Sequence, residues 1–70
     1  MSRVKETAAT FHIGDNVRIK VSIRSPYAGH TGRISQIDAC EDGFEYLVRF
    51  SDGLAFRYEA GEMELIKAAA

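Results

Sequence analysis

Residues 13–37 read IGDNVRIKVSIRSPYAGHTGRISQI, and the role of the two glycine turns in this stretch decides the fold. Gly14-Asp15 supplies a turn, after which Val17, Ile19, Val21 and Ile23 alternate with Arg18, Lys20 and Ser22. Strict period two with β-branched residues predicts a half-buried strand over 17–23. In RSPYAGHTG, residues 24–32, Pro26 fixes one backbone angle and two glycines follow, which predicts a loop folding back tightly. A second strand is expected over 33–37, too short to show alternation. Gly32 just before it is expected where a side chain would obstruct the chain.

Further along, Phe44-Glu-Tyr-Leu-Val-Arg-Phe50 and Leu54-Ala-Phe-Arg-Tyr58 each place their rings and aliphatic residues at every second position. The SDG between them, residues 51–53, is a three-residue hairpin loop with glycine at the left-handed position. That loop predicts a register in which Phe50 meets Leu54, Val48 meets Phe56 and Tyr46 meets Tyr58, giving the hairpin one apolar face. EAGEMELI, residues 59–66, closes the domain through Leu65 and Ile66. Four or five short strands, tight turns and no long helical pattern predict an all-β, small barrel of about five short antiparallel strands, closed or half closed. The expected core is Val17, Ile19, Val21, Ile34, Tyr46, Val48, Phe50, Leu54, Phe56 and Leu65. Residues 1–10 are expected to form a flexible arm, 11–67 the barrel domain, and 68–70 a frayed tail.

Bulk properties narrow the function classes. Seventy residues make one small domain, which buries only about 60% of its unfolded surface. The chain is 46% hydrophobic and 27% charged with a net charge of −1, so no global polycation is available for nucleic acid. Any such binding needs a local basic face. The single Cys40 forms no internal disulfide, which points to a reducing cytoplasm. No apolar stretch approaches a membrane span or a signal-peptide core.

Gly14-Asp15-x-Val17-x-Ile19, a polar loop, then Gly29-x-x-Gly32-x-Ile34 resembles the KOW motif of SH3-like barrels, and YLVRF and ELI are similar to the later strands of that fold. The resemblance implies that the paired turns are first a folding device, and it also implies a nucleic-acid or ribonucleoprotein binding module. The order VRI, SPY, GRI, VRF, EL is similar to that of small barrel subunits of photosynthetic electron transport, of the photosystem I subunit IV type. Those scaffolds help dock ferredoxin, so this second resemblance implies a docking subunit for an acidic redox protein. TFHIGDNVR is similar to the strand-one region of the type II dihydrofolate reductases, oligomeric barrels whose pore uses a Val-Gln-Ile-Tyr segment. Ala55-Phe56-Arg57-Tyr58 stands in the comparable place without the glutamine, which weakens an enzymatic reading. Gly29-His-Thr-Gly32 also fits the bare G-x-x-G of a KH loop, but the helices such a loop needs are not predicted.

Arg18, Lys20, Arg33, Arg49 and Arg57 fall on outward strand positions, while the carboxylates gather in turns and ends. This predicts a basic wall suited to phosphates or an acidic protein surface. The alternative is an ordinary solvated face with cross-strand ion pairs. Tyr27, flanked by Arg24 and His30 in one loop, is either an exposed stacking ring or a lid over the barrel end. The candidate binding set is therefore Arg18, Lys20, Arg24, Tyr27, His30, Arg33, Arg49 and Arg57. His12, His30 and Cys40 lack zinc spacing, no phosphate loop or catalytic constellation is recognisable, and neither metal nor cofactor is expected.

Overall fold

The computed structural model describes residues 9–66. It is all-β: β1 (Asn16–Ile19), β2 (Thr31–Cys40), β3 (Gly43–Arg49), β4 (Ala55–Glu59) and β5 (Met63–Leu65), with one 3-10 turn, Ala60–Glu62, before β5. All pairings are antiparallel and the sheet order is β4-β3-β2-β1-β5. A flat sheet of five strands holds its edges roughly 19 Å apart at about 4.8 Å per strand. The 3-10 turn joining the two edge strands advances only about 6 Å, at roughly 2 Å per residue. The sheet must therefore curl strongly, bringing β4 and β5 towards each other without a hydrogen-bonded ladder between them. The sheet is not closed. A capping box fixes the turn: the Glu59 amide donates to Glu62 Oε1 at 2.8 Å, and the Glu59 side chain accepts from the Glu62 amide. No helix among the described residues is long and apolar enough to cross a membrane.

The β3–β4 hairpin has the expected register, with Val48 opposite Phe56 and Tyr46 opposite Tyr58. Its tip closes by Phe50 N donating to Leu54 O at 2.8 Å, and Gly53 takes φ +92°, the left-handed value the loop demands. Strand β2 is longer than expected, and it lacks alternation for a physical reason. A bulge at Ser35 lets Ile34 pair with Val48 and Gln36 with Leu47, so Ile34 and Ile37 both turn inward, three residues apart.

Strand β1 is shorter than the 17–23 alternation implies. It ends at Ile19, because Ile23 N donates back to Lys20 O at 3.1 Å and starts a turn. Residues 20–29 leave the sheet as a loop whose base is clamped by Gly29 N to Ile19 O at 2.7 Å and Ile19 N to His30 O at 2.9 Å. Val21 therefore lies 81% exposed instead of in the core, and Lys20 stands past the strand end.

The core is Phe11, Val17, Ile19, Ile34, Tyr46, Val48, Phe50, Tyr58 and Met63. Leu54, Phe56 and Leu65, also expected there, are 54%, 42% and 49% exposed. All three point to the inner side, but Leu54 and Phe56 sit on or beside the edge strand β4 at the hairpin tip, and Leu65 ends the opposite edge strand. Edge positions have core on one side only. The central places go to Phe11, which meets Tyr46 edge-on at 5.4 Å, and to Met63, opposite Ile19. Both buried phenols are satisfied: Tyr46 accepts from Thr10 N at 2.9 Å, and Tyr58 shares a 2.7 Å hydrogen bond with Ser25. Of the arm expected over 1–10, Ala9 packs against the core and Thr10 is tied to Tyr46, while residues 1–8, Lys67 and the tail expected over 68–70 lie outside the described residues.

Candidate functional site

The outer face of β2, β3 and β4 forms three rungs. In the first, Arg33 stands opposite Arg49, and Arg49 opposite Ala55. Next come Gln36, Leu47 and Arg57, and then Asp38, Glu45 and Glu59. Alternation on β3 and β4, and the bulge on β2, put these nine residues on one face. The face is thus polarised along the strands, basic at one end and acidic at the other.

Arg33 and Arg49 are the unusual pair. Like charges directly opposite each other destabilise a sheet. Neither guanidinium has a carboxylate within ion-pair distance among the described residues, and Arg49 instead donates to Gly53 O at 3.2 Å. Around them lies a shallow hollow of about 360 Å³, lined also by Asn16, Thr31, Ser35 and Ser51. Gly32 and Phe50 complete the lining, and Ser35 Oγ already donates to Leu47 O at 3.3 Å. The two cations, the Thr31 and Ser51 hydroxyls and the Asn16 amide supply hydrogen-bond donors suited to an anion's oxygens.

Arg18 lies on the outer side of β1, opposite Thr31 on one neighbour and Glu64 on the other. It extends the basic end across the sheet. Arg57 does not belong to that end, because its Nε lies 3.7 Å from Asp38 and 4.0 Å from Glu45. It neutralises part of the acidic rung, as an ordinary cross-strand ion pair does. Lys20 and Arg24 lie on the 20–29 loop, away from the strand faces where Lys20 was expected.

Tyr27 is half-buried and packs as a lid. Its ring stacks on Phe50 with centroids 4.0 Å apart and 15° between planes, and Phe56 and His30 approach at 5.3 and 5.6 Å. The hydroxyl donates to Asp52, whose other oxygen accepts from Leu54 N at 2.9 Å. The bond to Asp52, with some desolvation, raises the Tyr27 pKa, and the same bond lowers that of Asp52. His30 stays exposed at the foot of β2.

At the acidic end an open cleft of about 480 Å³ lies between the β2–β3 turn and the 3-10 turn, lined by Glu41, Asp42, Glu45 and Glu59 among others. Desolvation, then Glu45 and Asp38, pushes the Cys40 thiol up, so the thiolate nucleophile is disfavoured. Among the described residues no three or more His, Cys, Asp or Glu side chains are grouped to hold a metal ion.

The sequence reading did not include Asn16, Thr31, Ser35 and Ser51 in the hollow, nor the ordered acidic rung. Both depend on the register across β2 and β3, which the Ser35 bulge conceals. No family model matches the chain, and no curated protein or solved structure does so either.

Proposed function

We propose that this chain is a non-catalytic binding module that presents the Arg18, Arg33 and Arg49 end of its outer sheet face to an anionic macromolecule, nucleic acid or a ribonucleoprotein. The observation that carries the reading is the directly opposed Arg33–Arg49 pair, without carboxylate partners among the described residues, beside a hollow whose lining includes Asn16, Thr31 and Ser51. Such a pair costs the isolated fold stability, and a phosphate between the two guanidinium groups removes that cost. The resemblance of residues 13–37 to the KOW motif of SH3-like barrels supports the same direction. A single cysteine suits a protein working in the reducing cytoplasm.

The testing experiment is an amide-shift titration against RNA, DNA and an acidic ferredoxin-type protein. Shifts centred on Arg33, Arg49 and Thr31 with a nucleic acid are expected. Three phosphate contacts give a slope of log affinity against log salt of about −2 to −3. Shifts with the acidic protein alone would replace this reading by the docking-subunit one. Shifts elsewhere on the surface, or none, would overturn it.

A further inference from the structure

We infer that the polarised outer face is also a self-association surface, and that its occupant is a second copy of this chain. The order of the rungs points to it independently of nucleic-acid binding. On β3 the sequence Arg49, Leu47, Glu45 places a cation and a carboxylate at equal steps either side of a neutral residue, about 6.8 Å each way. Their β2 partners repeat the pattern with Arg33, Gln36 and Asp38.

Consider a two-fold axis lying along the Gln36–Leu47–Arg57 rung, in the plane between two stacked faces. It reverses the strand direction and keeps each strand over its counterpart. Arg33 and Arg49 of one copy then lie over Asp38 and Glu45 of the other, and the reciprocal contacts form by symmetry. Leu47 meets its own image at the centre. Arg57 leans towards its own Asp38 and Glu45, away from the axis, which separates the two copies of this cation. The nine residues carry three cations and three carboxylates, so the face as a whole is neutral and only its arrangement is polar. An unrelated partner would need the inverse pattern by its own design, whereas a second copy carries it automatically.

Three short strands across a curled sheet offer less than the roughly 800 Å² per partner of a standard interface. The association is therefore reversible, evident at high protein concentration, and weakened by salt because the paired groups remain near solvent. It occupies Arg33 and Arg49, so an anion bound there dissociates the pair of copies.

The test is sedimentation equilibrium of the whole chain from micromolar to millimolar concentration at low and at physiological salt. The weight-average mass of the parent is expected to rise from 7.8 kDa towards twice that value at low salt, and less with added salt. The variants Arg33→Glu with Arg49→Glu, and Asp38→Lys with Glu45→Lys, are each expected to remain monomeric, while their equimolar mixture forms a heterodimer tighter than the parent pair. Should either double variant not fold, Arg49→Glu and Glu45→Lys exchange a single stacked pair and are read in the same way. A parent that stays monomeric at millimolar concentration and low salt overturns the inference. So does a mixture that stays monomeric, or self-association that survives both reversals. The neutral variant Arg33→Gln with Arg49→Gln, titrated with RNA, reports on the nucleic-acid reading whatever the sedimentation result.

Discussion

The Tyr27 hydroxyl donates to the Asp52 carboxylate, joining the loop of residues 20–29 to the tip of the β3–β4 hairpin. The bond holds Tyr27 flat on Phe50 and closes one end of the core. Its two partners titrate in opposite directions. Asp52 has a lowered folded pKa, so its contribution is complete above the unfolded value near 4 and is lost as pH falls through the lower folded one. Tyr27 has a raised folded pKa, so its contribution is complete below the unfolded value near 10 and is lost as pH rises through the higher folded one. Thermal melting of the parent and of Tyr27→Phe from about pH 2 to about pH 11 checks both limbs. The variant should melt lower across the plateau and lose less than the parent at either extreme.

Gly32 sets the distance between β2 and the core. A Cβ there would lie 2.6 Å from Val48 Cγ1, 2.9 Å from the Arg49 carbonyl and 3.1 Å from Phe50 Cδ1. The carbonyl belongs to the paired strand and cannot rotate aside. Gly32→Ala should therefore cost about 1–3 kcal/mol through overpacking, and Gly32→Val more. His30→Ala, just before β2 and exposed, loses an edge contact with Tyr27 and a minor attraction to Asp52, and should leave denaturant midpoints almost unchanged. Equal losses from the two positions would refute the packing role of Gly32.

The two hairpin strands were legible in the sequence because period-two alternation and a glycine at the third loop position constrain the register twice over. The first strand was not, since Val21 and Ile23 continue the apolar pattern after the backbone has already turned at Lys20. Alternation records which side a residue would face if the strand continued; it does not say that the strand continues. The Ser35 bulge concealed β2 in the opposite way, by bringing two isoleucines three residues apart onto one side. For the candidate site, the basic residues were visible in sequence, but not which of them are free. Only the register shows Arg57 among carboxylates and Arg33 facing Arg49.

Phe56 and Phe50 separate edge from core. Phe50→Ala removes a buried ring that touches both Tyr27 and Tyr58, at a cost of about 3–5 kcal/mol, comparable with the whole stability of a small domain. Phe56 is 42% exposed on the edge strand, so Phe56→Ala should cost well under that and leave a dispersed amide spectrum. Two unfolded variants would place Phe56 in the core after all.

Arg33 and Arg49 should reveal their mutual repulsion without any macromolecular partner. If the two guanidinium groups face each other unpaired, screening relieves them, and sodium chloride should raise the melting temperature of the parent. Arg49→Gln removes the repulsion, so this variant should melt at or above the parent at low salt and respond less to added chloride. The substitution lies on the outer face and leaves the core contacts in place, and the Arg49 hydrogen bond to Gly53 O that it gives up is an exposed one. Phosphate distinguishes a site from mere screening, because an ion bound only to the folded chain stabilises it by RT ln(1 + c/Kd), where c is the free ion concentration. At matched ionic strength, phosphate should therefore stabilise the parent more than chloride does, and this excess should vanish in Arg49→Gln. Melting curves of both proteins in the two salts make the comparison directly. An equal phosphate excess in the variant would place the anion away from the Arg33–Arg49 hollow, and an unresponsive parent would mean the two cations do not repel.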